Sequence, residues 1–144
     1  MSYSNREIYN NALSLIGETT DEDYNLDYEQ RAPYIIASFC TQVSAVDKQL
    51  RDIDGLGKAN DFNRLYLDLD TYFPLCDKLL GCAALYLAAM LLSDYEYERS
   101  ESFYDKYCDA IATLSASIDI SSSNESVDAV SAVCEPIADR YSFD

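Results

Sequence analysis

From Leu79 to Ser93 the chain runs without a single charged residue. Leu, Ala and Met dominate the run, and all three are strong helix formers. The spacing predicts a helix from about Leu75 to Tyr95, roughly six turns long. Both of its long faces are apolar, the pattern of a helix surrounded by others rather than one lying on a surface. The uncharged run falls short of the roughly 18–20 residues that a bilayer span needs. Gly81, Cys82, Ala83, Ala84, Ala88 and Ala89 suit close helix packing in a core. Whatever fold forms must therefore wrap other elements around this helix. The stretch before it, Asp70 to Leu75, contains Pro74 and reads as a turn-like approach.

The wrapping elements are visible on either side. Ser4-Asn-Arg-Glu7 forms a capping box, in which side chains satisfy two orphan amides reciprocally. Ile8, Ala12, Leu15 and Ile16 follow on one face, and Gly17 sits where a helix ends. The first helix is thus predicted over residues 5–16. Glu18 to Asp27 is polar and acidic and reads as a loop. Ala32, Ile35, Ile36, Phe39, Val43, Val46 and Leu50 then repeat at helical spacing. Pro33 lies inside that stripe, either in the first turn of a helix starting near Ala32 or as a kink in a longer one. The pattern favours a kinked helix from Leu26 to Gln49. Asp54-Gly-Leu-Gly57 is turn chemistry. After it, Leu65, Leu67 and Leu69 alternate with Tyr66, Asp68 and Asp70, the period of a strand with one buried face. A short strand or hairpin arm fits there, and so does an irregular loop. A connection of this length between helices is often functional. Phe103, Tyr104, Tyr107, Ile111, Leu114 and Ile118 predict a last helix over about 100–116. Its short link to the central helix implies antiparallel packing.

Together these elements predict an all-α fold, a small bundle of four main helices. It carries a long inter-helix arm at about 51–72, with a possible short β-hairpin, and an extended C-terminal tail. The bundle spans 1–118. Residues 119–144 read as a linker and docking tail, with Ile137, Tyr141 and Phe143 as its apolar groups.

Composition narrows function by exclusion. The 144 residues hold 26 acidic against 10 basic side chains, a formal charge of −16. Nucleic-acid affinity rests on phosphate neutralisation by Lys and Arg, so direct binding to DNA or RNA is not expected. An anionic membrane is disfavoured for the same reason. The charge itself fits plain solubility, a surface that must not stick to DNA, or a mimic of DNA. The chain has no histidine, which removes the commonest general base and zinc partner and any Cys–His or Ser–His pair. No enzyme activity is expected. The five cysteines form no C-x-x-C pair. Their odd number, behind a polar start unlike a secretion signal, reads as reduced thiols in a cytoplasmic setting.

Few residues invite a chemical reading. Asp68, Asp70 and Asp77 are the best carboxylate group, and Asp68-x-Asp70 would place two carboxylates on one face of a strand. No further ligand set lies near them, so no metal or cofactor is assigned. Asp21, Glu22, Asp23, Asp27 and Glu29 read as charges gathered at a helix N-terminus. Gly55-Leu-Gly-Lys58 lacks the rest of a phosphate loop and reads as a turn. The 13 tyrosines exceed what a core requires. Several, including Tyr24, Tyr28, Tyr95 and Tyr97, fall in polar surroundings, as interface tyrosines do.

The order of elements resembles the small helical head–tail connector proteins of tailed bacteriophages, also called adaptor or head-completion proteins. The residues that carry the resemblance are Glu7-Ile-Tyr-Asn-Asn-Ala-Leu-Ser-Leu-Ile-Gly17, Tyr72-Phe-Pro-Leu75 leading into Ala84-Leu-Tyr-Leu-Ala-Ala-Met-Leu-Leu92, Ser102-Phe-Tyr-Asp-Lys-Tyr107, and Ile137-Ala-Asp-Arg-Tyr141. It spans most of the chain and consists of packing patterns. The resemblance implies a helical bundle with a long arm and an extended C-terminus, assembled as a ring, commonly of twelve copies, under the portal protein. DNA would pass through without specific binding, and the next tail-side connector or a tail protein would dock below. Such a protein would reside in the virion neck, and in host cytoplasm during assembly. On this reading the candidate subunit, portal or tail interface comprises Leu65, Leu67, Asp68, Leu69, Asp70, Ile137, Tyr141 and Phe143. The alternative is an acidic phage-encoded regulatory or DNA-mimic protein that binds a host protein.

Overall fold

The structure is a computed structural model that describes residues 2–18, 26–57 and 62–121. Helix α1 spans Asn5–Ile16, α2 Leu26–Gln42, α3 Ser44–Asp54, α4 Leu80–Leu92 and α5 Tyr97–Ser121. The fold is all-α. α1 begins and ends as its sequence predicts. Ser4 Oγ accepts from the Glu7 amide, and Glu7 Oε2 accepts from the Ser4 amide at 2.7 Å. Gly17 takes a φ of 82°, which L side chains rarely adopt, and the Glu18 amide reaches back to the Leu13 carbonyl at 2.9 Å.

α4 is the post around which the rest is built. It lies against α5, α1 and α2, and Cys82, Ala83, Tyr86, Leu87, Ala89 and Leu91 are all buried. It is shorter than the predicted Leu75–Tyr95 helix. A 3-10 turn, Asp77–Leu79, precedes it. Upstream of that turn, Cys76 is extended, with φ −58° and ψ 141°, and its amide donates to Asp47 Oδ1 of α3 at 2.7 Å. At the other end Ser93 Oγ and Arg31 Nη2 both donate to the Met90 carbonyl, at 2.8 and 3.2 Å. Those bonds satisfy a helix terminus and let the chain turn. Ser100 Oγ then donates to the Ala89 carbonyl at 2.7 Å, and Tyr107 lies against Tyr86 with ring centroids 5.3 Å apart. α5 thus runs back antiparallel along α4. It continues to Ser121, past the predicted end near 116.

The predicted second helix is two helices. The chain passes through Pro33 as helix and breaks instead at Val43, whose φ of −103° and ψ of 11° are not helical. Hydroxyls crowd the junction: Thr41 Oγ1 donates to the Ala37 carbonyl at 3.2 Å and Ser44 Oγ to the Thr41 carbonyl at 3.3 Å. Such bonds compete with the helix for its own carbonyls. The break has a packing consequence. α2 stays on α4, while α3 turns to meet α5. Bundle helices among the described residues therefore number five rather than four.

The arm returns over α1 without forming a strand among the described residues. Its only strand-like pairing there is an isolated bridge between Ser4 and Tyr72. The Asn5 and Arg6 amides, orphaned in the first turn of α1, donate to the carbonyls of Thr71 at 2.9 Å and Leu69 at 2.7 Å. Asn5 is fully buried, and its Nδ2 donates to the Asp68 carbonyl at 3.1 Å. The core beneath is aromatic in its centre. Phe39 stacks near Phe73 and meets Tyr86 and Tyr107 at centroid distances of 5.7 and 6.0 Å. The predicted linker and tail beyond Ser121, with Ile137, Tyr141 and Phe143, lie outside the described residues.

Candidate interaction surface

The arm carries the sequence-predicted site residues and sorts them into two kinds. Leu67 and Leu69 are buried, at 3% and 4% exposure, and belong to the chain's own core. Leu65 stands at 86% exposure. Asp68 and Asp70 are exposed too, yet both hold local structure. Asp68 Oδ1 accepts from the Asp70 amide at 2.8 Å and closes the turn. Asp70 accepts from Arg6 Nε at 2.8 Å. That hydrogen bond, and the charge behind it, hold the Asp70 carboxyl below its ordinary range. Arg6 bonds Glu29 at 3.1 Å as well, and the two carboxylates push its guanidinium further up. Asp77 begins the 3-10 turn before α4. No group of side chains among the described residues could hold a metal ion, and no described helix is long and apolar enough to cross a membrane.

Next to Leu65 the structure places aromatic residues that periodicity does not single out. Tyr66 meets Tyr34 of α2 edge to face, with centroids 5.0 Å apart and an interplanar angle of 71°. Such pairs contribute beyond the area they bury. Both rings remain largely exposed, at 48% and 59%. The signal was present in α2: Tyr34 follows Pro33 and lies off the buried stripe of Ala32, Ile36 and Phe39. A large ring on the wet side of an amphipathic helix is what to look for. Tyr34 stands as a ridge between two open clefts. One lies toward the arm, lined by Arg6, Glu29, Pro33, Tyr66 and Asp70. The other lies between α2 and α4, lined by Arg31, Ile35, Ser38, Tyr86 and Met90.

Both arginines at these clefts are already paired. Arg6 is held by Asp70 and Glu29. Arg31 has Asp27 at 3.6 Å and Asp94 at 3.4 Å. The guanidiniums are therefore neutralised from within the chain. An exposed aromatic and aliphatic patch with a polar rim is the composition of a protein-binding surface. Comparison with protein-family models, with curated proteins and with solved structures finds no match to this chain.

Proposed function

We propose that this chain is a structural assembly protein, a head–tail connector of a tailed bacteriophage. It would form a ring under the portal, of twelve copies by resemblance, and hand the DNA channel on to the next tail-side connector or tail protein. The observation that carries the reading is the described end of the arm, residues 62–73, pinned to the body through Leu67, Leu69 and the first turn of α1, with Leu65, Tyr66 and Tyr72 turned outward. A segment tied down at several points yet presenting apolar groups suits contacts between proteins, because less freedom is left to lose on binding. The formal charge of −16 is consistent with a lumen past which DNA slides. The residues beyond Ser121 would supply further docking contacts to a neighbouring subunit.

The test is assembly. The purified chain is mixed with a portal protein from the same genome, and mass is measured by light scattering, with negative-stain images of the product. A discrete ring on the portal is expected. Failure to bind any portal or tail component overturns the proposal. A host DNA-binding protein captured instead, and released by DNA, would establish the DNA-mimic alternative.

A further inference from the structure

We infer that the arm and the cleft it forms with α2 pair two copies of this chain face to face about a two-fold axis, with Arg64 of each copy set on Asp68 of the other. The inference does not rest on ring assembly. A chain of formal charge −16 repels its own copies, so self-association is confined to a place where charge is nearly balanced. The arm offers one. Arg6, Arg31, Arg51 and Arg99 each hold a carboxylate of their own chain. Arg64 is exposed and pairs with no described residue. Asp68, further along the arm, is exposed as well. One of its oxygens accepts from the Asp70 amide, and no described cation bridges to it. Two opposite charges thus stand free in one short stretch without meeting each other. A two-fold axis matches each with its opposite, twice over, because in an isologous contact residue i meets j and j meets i. Arg6 is the other arginine here, so two arginines face the three carboxylates that line the cleft, Glu29, Asp68 and Asp70. Apolar groups lie beside these charges. Leu65 stands at 86% exposure directly after Arg64, and Pro33, Tyr34 and Tyr66 wall the cleft. Leu65 does not line the cleft of its own chain, which leaves that cleft open to Leu65 of the other copy. The stretch is fixed to the body just beyond Tyr66, where the Leu67 amide donates to the Pro33 carbonyl at 3.2 Å.

Sedimentation velocity of the full chain at rising concentration tests this. A reversible monomer–dimer equilibrium should appear below about 1 mM. Arg64→Asp and Asp68→Arg, each alone, should weaken the pair about tenfold or more, since like charges then face each other. An equimolar mixture of the two variants should dimerise as wild type does, because each chain then meets its opposite at both positions. Leu65→Ser should weaken the pair about tenfold, as loss of an interface anchor does. Leu56→Ser, an exposed apolar residue just past α3, should leave it unchanged. Asp68→Arg also removes the acceptor of the Asp70 amide, so melting curves accompany it. If that variant melts below wild type, Arg64→Asp and Leu65→Ser decide. A chain that stays monomeric up to about 1 mM overturns the inference. So does a dimer that Arg64→Asp or Leu65→Ser leaves intact, or a mixture of the two folded charge variants that does not pair.

Discussion

Asp47 is the residue on which the junction between arm and bundle turns. It is buried to 1% exposure, where an unpaired carboxylate would be very costly. Arg51 Nε sits 3.0 Å from one oxygen, and the Cys76 amide donates to the other at 2.7 Å. Arg51 also reaches the Pro74 carbonyl at 3.1 Å. One carboxylate thus holds α3 to the segment that leads into α4. Asp47→Ala should cost about 2 kcal/mol in urea unfolding, because it leaves the buried Cys76 amide without its acceptor and partly exposed Arg51 without its carboxylate. Asp47→Asn should recover part of that loss, since its oxygen can still accept from Cys76. Equal losses in the two variants would refute this role. Arg6 offers a pH test. Asp70 is held below its ordinary value of 3.8 in the folded chain by Arg6. A carboxyl depressed in this way stabilises the fold above 3.8, and its contribution fades as pH falls through the lowered value. Arg6 itself, pushed upward, stays charged throughout. Arg6→Gln should therefore melt below wild type at neutral pH, with the gap narrowing as pH drops below 3.8. A gap that stays constant in melting curves down through that range would contradict the pairing.

At the scale of elements, the arm and the start of α1 complete each other. A helix N-terminus leaves orphan amide donors, and here the carbonyls of Leu69 and Thr71 take them. The alternation of Leu65, Leu67 and Leu69 with polar residues was legible as a segment with one buried face, and Leu67 and Leu69 do face the core. A strand does not follow from that, because strand hydrogen bonds need a neighbouring strand edge. The neighbour is a helix end, which accepts an extended segment over a single turn and no further. Leu67→Ala should cost about 3 kcal/mol, as truncation of a buried leucine does. Leu65→Ala should shift stability by no more than about 0.5 kcal/mol, the range for exposed sites. Thermal or urea melts of the two variants side by side check the contrast, and similar costs would place Leu65 in the core. The junction at Val43 teaches a related lesson. The apolar stripe runs unbroken across it, so periodicity reads one helix. The hydroxyls of Thr41 and Ser44 and the destination of α3 on α5 make it two.

Over the whole molecule, burial controls the thiols as it controls the core. Cys40, Cys76 and Cys82 are buried. Desolvation pushes the Cys82 thiol up to about 11 and the Cys40 thiol higher still, the latter helped by the charge of Asp47. Thiolate is the reactive form, so at about pH 8 in native buffer Cys40 and Cys82 should resist alkylation until the chain unfolds. Mass-mapped alkylation across a urea series checks this, and modification of Cys82 well before the unfolding transition would refute it. The amino-acid sequence by itself determined the all-helical class, the limits of α1, and the burial of most of α4. Each follows from local chemistry: a capping box, a glycine with positive φ, and a charge-free run of helix formers. Tertiary structure decided what depends on a distant partner. It cut the central helix short by holding Cys76 extended, tied through its amide to Asp47 of α3. It sent the arm to the N-terminus of α1, and it brought Tyr34 of α2 against Tyr66 of the arm. Contacts between residues far apart in the chain leave no period in the sequence, because each half satisfies its local rule whether or not the other half is near.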